Sequence, residues 1–118
     1  MTPTDIILHQ KSKVLEVAFD NESRYKLPAE FLRVFSPSAE VRGHGKGQET
    51  LQVGKRDVGI TSIEPVGQYA LKISFDDGHD TGLYSWEYLH EMGQYQEGMW
   101  HDYLGKLEAA GKSRDSTK

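Results

Sequence analysis

The chain has 118 residues, 36% of them hydrophobic and 27% charged, with a formal net charge of -4 and no cysteine. That length suits one domain with a single core and leaves little for a deep cofactor cleft, while the mild acidity gives no general attraction to nucleic acid or membranes. Without cysteine there are no disulfides, no thiolate metal sites, no iron-sulfur ligation by the chain's own side chains and no cysteine nucleophile.

At the N-terminus, "MTPTDIILHQ" has neither a basic nor an apolar leader segment, and no stretch approaches the length of a membrane span, so the sequence reads as cytoplasmic. "TDIILH" predicts an edge strand. The next segment alternates, with Leu15, Val17 and Phe19 on one face and Val14, Glu16 and Ala18 on the other, which predicts a half-buried strand. "DNES" supplies turn residues, "RYKL" reads as the returning strand, and Pro28 is expected at the first helical position of "PAEFLRVF", with Phe31, Leu32 and Phe35 at core spacing.

The stretch over 36–56 is polar and glycine-rich, too long for a simple connection, and so a candidate functional loop. "VGITSIEPVGQYALKISF" then predicts two strands punctuated by Pro65 and Gly67. "LKISFDDGHDTGLYSWEYLHEM" repeats the earlier pattern: Leu71, Ile73 and Phe75 alternate, Asp77 and Gly78 turn, Leu83 lies on a short return, and a helix starts near Ser85 as N-cap. Leu15, Val17, Phe19 and Asp20 match Leu71, Ile73, Phe75 and Asp76, while Glu30, Phe31 and Leu32 match Glu87, Tyr88 and Leu89 after one extra residue. The expectation is a small single α+β domain over 1–110, made of two strand-strand-helix units with mainly antiparallel sheet, related by a pseudo-twofold axis. Gly93 is expected to cap the second helix, and a last helix places Trp100, Tyr103, Leu104 and Leu107 on the core. Residues 111–118 lack apolar anchors and read as a disordered tail.

Little of the chain looks chemical. "GHGKGQET" fails as a phosphate-binding loop, because Lys46 is followed by Gly47 and no strand leads in, which leaves a surface loop. The cations Arg33, Arg42, Lys46, Lys55 and Arg56 outnumber Glu40 and Glu49 in this region. Arg42, His44, Lys46, Lys55 and Arg56 therefore form a candidate interaction surface for an acidic partner or an anion, with solvated charge as the plainer account. The histidines His9, His44, His79, His90 and His101 form no metal signature. His79 with Asp76, Asp77 and Asp80 could hold a cation, yet Asp and Gly are also what a hairpin turn requires. Ser36, Ser38 and Ser85 have explanations as loop or cap residues, and no catalytic residue is assigned. Trp86, Tyr88, Trp100 and Tyr103 are most simply core.

"LPAEFLRVFSPSAEVRGHG", followed by "IEPVGQYALKISFDDGHDTGLYSWEYLHEMG", resembles the gamma-butyrobetaine hydroxylase-like N-terminal domain family in its short stand-alone bacterial branch, over about residues 5 to 105. In that family the domain precedes the catalytic barrel of iron- and 2-oxoglutarate-dependent hydroxylases, and a related domain is appended to some iron-sulfur cluster carriers. The resemblance implies a zinc position at His79, but Ser36, Ser38 and Val41 stand where the three cysteines would be. Serine hydroxyls are poor zinc ligands at neutral pH and valine is none, so no zinc, iron or other cofactor is expected, and the Ser36 or Ser38 hydroxyls are expected to hold the imidazole instead. These 118 residues leave no room for the catalytic barrel, so hydroxylase activity is not expected of them. What the resemblance implies is a non-catalytic accessory or protein-interaction domain with an unidentified protein partner, its working face made by the loop over 36–56 and the His79 turn. The alternative is a zinc- or iron-binding protein using His79 with His44 and Asp77 or Asp80. An exposed edge strand and aromatic helix would suit a homodimer.

Overall fold

Each run of alternating residues becomes a strand with one buried face. The computed structural model describes residues 1–43 and 47–115. Strands β1 (Pro3–His9), β2 (Val14–Phe19) and β3 (Arg24–Pro28) form one antiparallel sheet in that order, and β4 (Ile60–Val66), β5 (Ala70–Phe75) and β6 (Leu83–Ser85) form a second. Helix α1 (Ala29–Val34) follows the first sheet and α3 (Trp86–Gln94) the second; α2 (Ala39–Arg42) is a single turn in the long connection, and α4 (Gln96–Ala110) closes the chain. Leu15, Val17 and Phe19 from one sheet and Leu71, Ile73 and Phe75 from the other enter one core cluster with Leu32 and Leu89, all at 3% exposure or less. Burying each such side chain contributes about 1.5–3 kcal/mol, which is why both sheets turn their alternating apolar faces inward.

The repeat extends through the fold and is larger than a strand-strand-helix unit, since each half includes a third strand. Irregular pairing recurs at the same place in both halves, between Pro3 and Asp5 opposite Phe19 and between Ile60 and Ser62 opposite Phe75. The hairpin turns match bond for bond. Phe19 N–H donates to Ser23 O and Phe75 N–H to His79 O, both at 2.9 Å. Asn21 Oδ1 and Asp77 Oδ1 accept from the backbone N–H two residues on, and the left-handed positions are Glu22 (φ 70°) and Gly78 (φ 90°).

Contacts between the halves are reciprocal. Arg33 of α1 reaches Asp77 in the second turn at 2.8 Å, and its counterpart His90 of α3 reaches Asn21 in the first turn at 3.3 Å. A Cβ on Gly82 would lie 2.5 Å from Ser36 Oγ, and a Cβ on Gly93 would lie 2.2 Å from Tyr25 Cγ. By the repeat, Gly82 corresponds to Tyr25 and Ser36 to Gly93, so the same junction is filled from opposite sides in the two halves. This exchange is what a pseudo-twofold axis produces.

Four local expectations are corrected. Pro28 is the last residue of β3 and the N-cap of α1, with ψ 147°, because it pairs with Val14 in the sheet. Gly93 does not end α3, which runs on to Gln94; the glycine makes room for the Tyr25 ring. Leu104 is 37% exposed, since α4 buries only the narrow stripe of Tyr103 and Leu107 with Trp100 half-buried beside it. The tail expected to be disordered from 111 onward is anchored as far as Asp115: Gly54 N–H donates to Ser113 O and Arg56 N–H to Arg114 O, each at 3.0 Å. Polar pairing does there what apolar anchors were expected to do. Residues 116–118 lie outside the described residues.

Candidate functional site

The residues that follow α1 meet the turn that follows β5. α1 is buried at all six positions, which fixes where the chain leaves it, and Ser36 emerges fully buried with Ser38 and His79 each at 7% exposure. Ser36 Oγ and His79 Nε2 share a hydrogen bond at 2.8 Å, while Ser38 N–H donates to the same Oγ at 3.2 Å. Ser38 caps α2 by accepting from Glu40 N–H. Thr81 gives its hydroxyl proton to the Glu40 carboxylate at 2.5 Å, so at the 2.7 Å contact between Ser38 and Thr81 it is Ser38 that donates. The loop and the turn are thus joined by a continuous set of hydrogen bonds. Gly82 is required beneath them, since a side chain there would strike Ser36.

Charge closes the other flank. Arg33 projects from the fully buried α1 and must find a counter-ion. Its Nε donates to Asp77 Oδ2 at 2.8 Å and its Nη1 to Gln52 Oε1 at 3.0 Å, and Lys55 Nζ donates to the same Asp77 oxygen at 2.6 Å. Partial burial alone would raise the Asp77 carboxyl, but Lys55, the His79 N–H and Arg33 together outweigh it and bring its pKa down to about 2. Burial, followed by the Arg33 charge, pulls the His79 imidazole below its ordinary 6.5, so the ring is neutral at pH 7. Burial drives the Tyr84 hydroxyl far above its usual range, and that hydroxyl donates to Leu32 O.

A groove of about 460 Å³ opens beside Ser36. Val34, Val41, Leu51 and Met99 line its apolar part, and the charged side chains of Arg42, Glu49, Glu91 and Lys106 border it. Two tyrosines fix its walls, Tyr88 by donating to Phe35 O at 2.5 Å and Tyr103 by donating to Gln52 O at 2.7 Å.

The structure brings together Ser36, Ser38 and His79, with Ser36 holding the imidazole as the sequence suggested. Val41 is buried nearby and lines the groove. The proposed basic surface is only partly assembled: the Arg42 guanidinium lies over the Tyr88 ring at 4.7 Å, Lys55 is paired with Asp77, and Arg56 is paired with Asp115. His44 and Lys46 lie outside the described residues. Sequence reasoning did not find the Arg33–Asp77 pair, the Thr81–Glu40 link or the ring-stacking role of Arg42. A signal for the first was present, because a charged residue among the apolar positions of "AEFLRVF" needs a buried partner.

The zinc position implied by the resemblance does not fit the residues present. Tetrahedral zinc wants four nitrogen, thiolate or carboxylate donors. Here the set is one imidazole already bonded to Ser36, two hydroxyls engaged with neighbours and a valine. Among the described residues no group of three His, Cys, Asp or Glu is placed to hold a metal ion.

Fold and site together define a small α+β domain of duplicated, reciprocally packed halves, whose loop-to-turn junction is closed by hydrogen bonds. The chain belongs to the family described as gamma-butyrobetaine hydroxylase-like, N-terminal, whose profile matches residues 6–90. It is similar to a protein solved in solution by NMR, at 54% identity and a TM-score of 0.86, covering 99% of this chain and 92% of that one. A second NMR solution structure is 50% identical with a TM-score of 0.82, covering 96% and 84%. A crystal structure from Acidithiobacillus ferrooxidans, described as a protein with unknown function of the DUF971 family, is 34% identical with a TM-score of 0.66, covering 78% and 92%. Among curated proteins none matches the chain. In the described residues no helix is long and apolar enough to cross a membrane.

Proposed function

We propose that the chain is a non-catalytic accessory domain that docks on a protein partner through the face built by the loop over 36–56 and the His79 turn. The observation that carries this reading is the groove beside Ser36, with apolar lining residues and bordering charges of both signs. That composition suits a partner that inserts an apolar side chain and meets Arg42 and Lys106 with acids and Glu49 and Glu91 with bases. The centre of the face therefore moves from the basic residues to the groove, because Lys55 and Arg56 already have partners within the chain. The Ser36–His79 pair supports the face structurally: both residues are buried, and no carboxylate hydrogen-bonds to the ring among the described residues, so no third member orients a base. A metal-binding role would require His79 to leave Ser36 and Asp77 to leave two cations. A homodimer through the same groove is one form the partner could take.

The test is a photocrosslinking residue placed at Glu91 or Lys106 in the full chain and, as control, at Lys26, which pairs with Glu16 on the outer face of the first sheet. A discrete protein adduct is expected from the groove positions, lost on Leu51→Asp, and absent from the control. Equal adducts from both faces, or none from the groove, would refute the reading.

A further inference from the structure

A second built site lies at the first turn of α1. Glu30 is only 7% exposed, although its repeat counterpart Glu87 is exposed at the same place on α3. At Glu30 the C-terminal segment meets the carboxylate. Arg114 grips the Glu30 carboxylate with two hydrogen bonds, Nε at 2.8 Å and Nη2 at 2.6 Å, and its guanidinium lies 5.1 Å from the centre of the Trp100 ring. A carboxylate offered in fork geometry beside an aromatic face is the environment that distinguishes arginine from lysine. The side chain does not fill the space: a cavity of about 230 Å³ remains, lined by Glu30, Phe31, Gln96, Trp100 and Arg114 itself.

The occupant is held by a short strap. After the left-handed Gly111 at the end of α4, Ser113 and Arg114 each accept one backbone hydrogen bond, from Gly54 and Arg56, and Asp115 pairs with the Arg56 side chain. The same strap therefore clamps the long loop at 54–56.

We infer that Glu30 and Trp100 form an arginine-recognition site, which the chain fills with its own Arg114 and which takes an arginine of an extended protein segment when the strap is displaced. The tethered arginine competes at an effective concentration on the order of millimolar, so a displacing segment must gain contacts in the remaining cavity as well. The site shares no lining residue with the Ser36 groove, and its recognition of arginine does not depend on that groove having a partner.

The experiment uses the full chain labelled with nitrogen-15 and follows the Trp100 indole resonance during titration with a blocked peptide of residues 111–115. Arg114→Ala is expected to bind the peptide saturably, with at least tenfold weaker binding of the same peptide carrying lysine for arginine. Wild type should need at least tenfold more peptide, and Glu30→Gln combined with Arg114→Ala should bind none. Should Arg114→Ala not fold, Arg114→Lys, which keeps the charge but not the fork, should bind the arginine peptide between the two. Absence of a saturable shift in whichever variant folds, equal affinity for the lysine peptide, or equal affinity in wild type would overturn the inference.

Discussion

Ser36→Ala should cost more than the loss of one average hydrogen bond. The Oγ removed is fully buried and serves two groups, His79 Nε2 at 2.8 Å and Ser38 N–H at 3.2 Å, and both would be left without their partner. A buried polar group stranded in this way costs about 1–3 kcal/mol, and water entering from the adjoining groove would recover part of it, which gives about 2–3 kcal/mol in total. For a domain of this size that corresponds to a fall in Tm of roughly 8–12 °C. His79→Ala removes the other half of the bond and the ring that packs 6.1 Å from Phe75, and should cost about 2–4 kcal/mol. Since the two changes delete one shared interaction, the double variant should fall short of additivity by about 1–2 kcal/mol. Urea unfolding of the four proteins at pH 7.5 gives the cycle directly. Additivity within about 0.5 kcal/mol would refute the view that this hydrogen bond joins the loop to the turn.

Acid should weaken the same junction: the folded-state pKa of His79 lies below 6.5, so the unfolded chain binds more protons and stability is lost as pH falls from 6.5 through the folded value. His79→Gln should flatten that part of a stability-against-pH curve, and an unchanged slope would remove His79 as its cause. Asp77 contributes in a lower window, its stabilisation being present above 3.8 and lost toward pH 2, and Asp77→Asn should cost about 2–3 kcal/mol at pH 7 by leaving Arg33 buried without its counter-ion. Gly93→Ala should destabilise by about 1–3 kcal/mol through overpacking against Tyr25, with substantial recovery in Gly93→Ala/Tyr25→Val; a silent Gly93→Ala in thermal melts would contradict the close approach. Zinc and iron in untagged protein purified without chelator should fall far below one per chain for both wild type and His79→Ala, and about one metal per wild-type chain lost in the variant would restore the metal reading.

Much of the fold was legible because it is written in neighbouring residues. Alternation at Leu15, Val17 and Phe19 and again at Leu71, Ile73 and Phe75 has a period of two whatever lies across the core, and Ser85 announces a helix because its hydroxyl meets Tyr88 N–H one turn on. The match between those runs exposed the two units, and the missing cysteines already decided against a thiolate zinc site. The same local reasoning misread Gly93 as a helix end and the tail as frayed. In both cases the deciding partner, Tyr25 for the glycine and Glu30 for Arg114, lies far away in the chain.

The site belongs to that second kind of information. Ser36 and His79 are 43 residues apart, as are Ser38 and Thr81, and Arg33 and Asp77 are 44 apart. Composition and spacing made each of them an ordinary turn, cap or surface residue, and it was the family resemblance that set Ser36 or Ser38 beside His79. Only the packing of the two halves across their axis brings the end of α1 against the second hairpin turn, burying a serine, a histidine and an arginine that must then satisfy one another. Periodicity is enough to reveal the two halves and composition to rule out thiolate chemistry, whereas the meeting of one turn with one loop depends on how the shared core closes, because pairing between distant segments leaves no period in the chain.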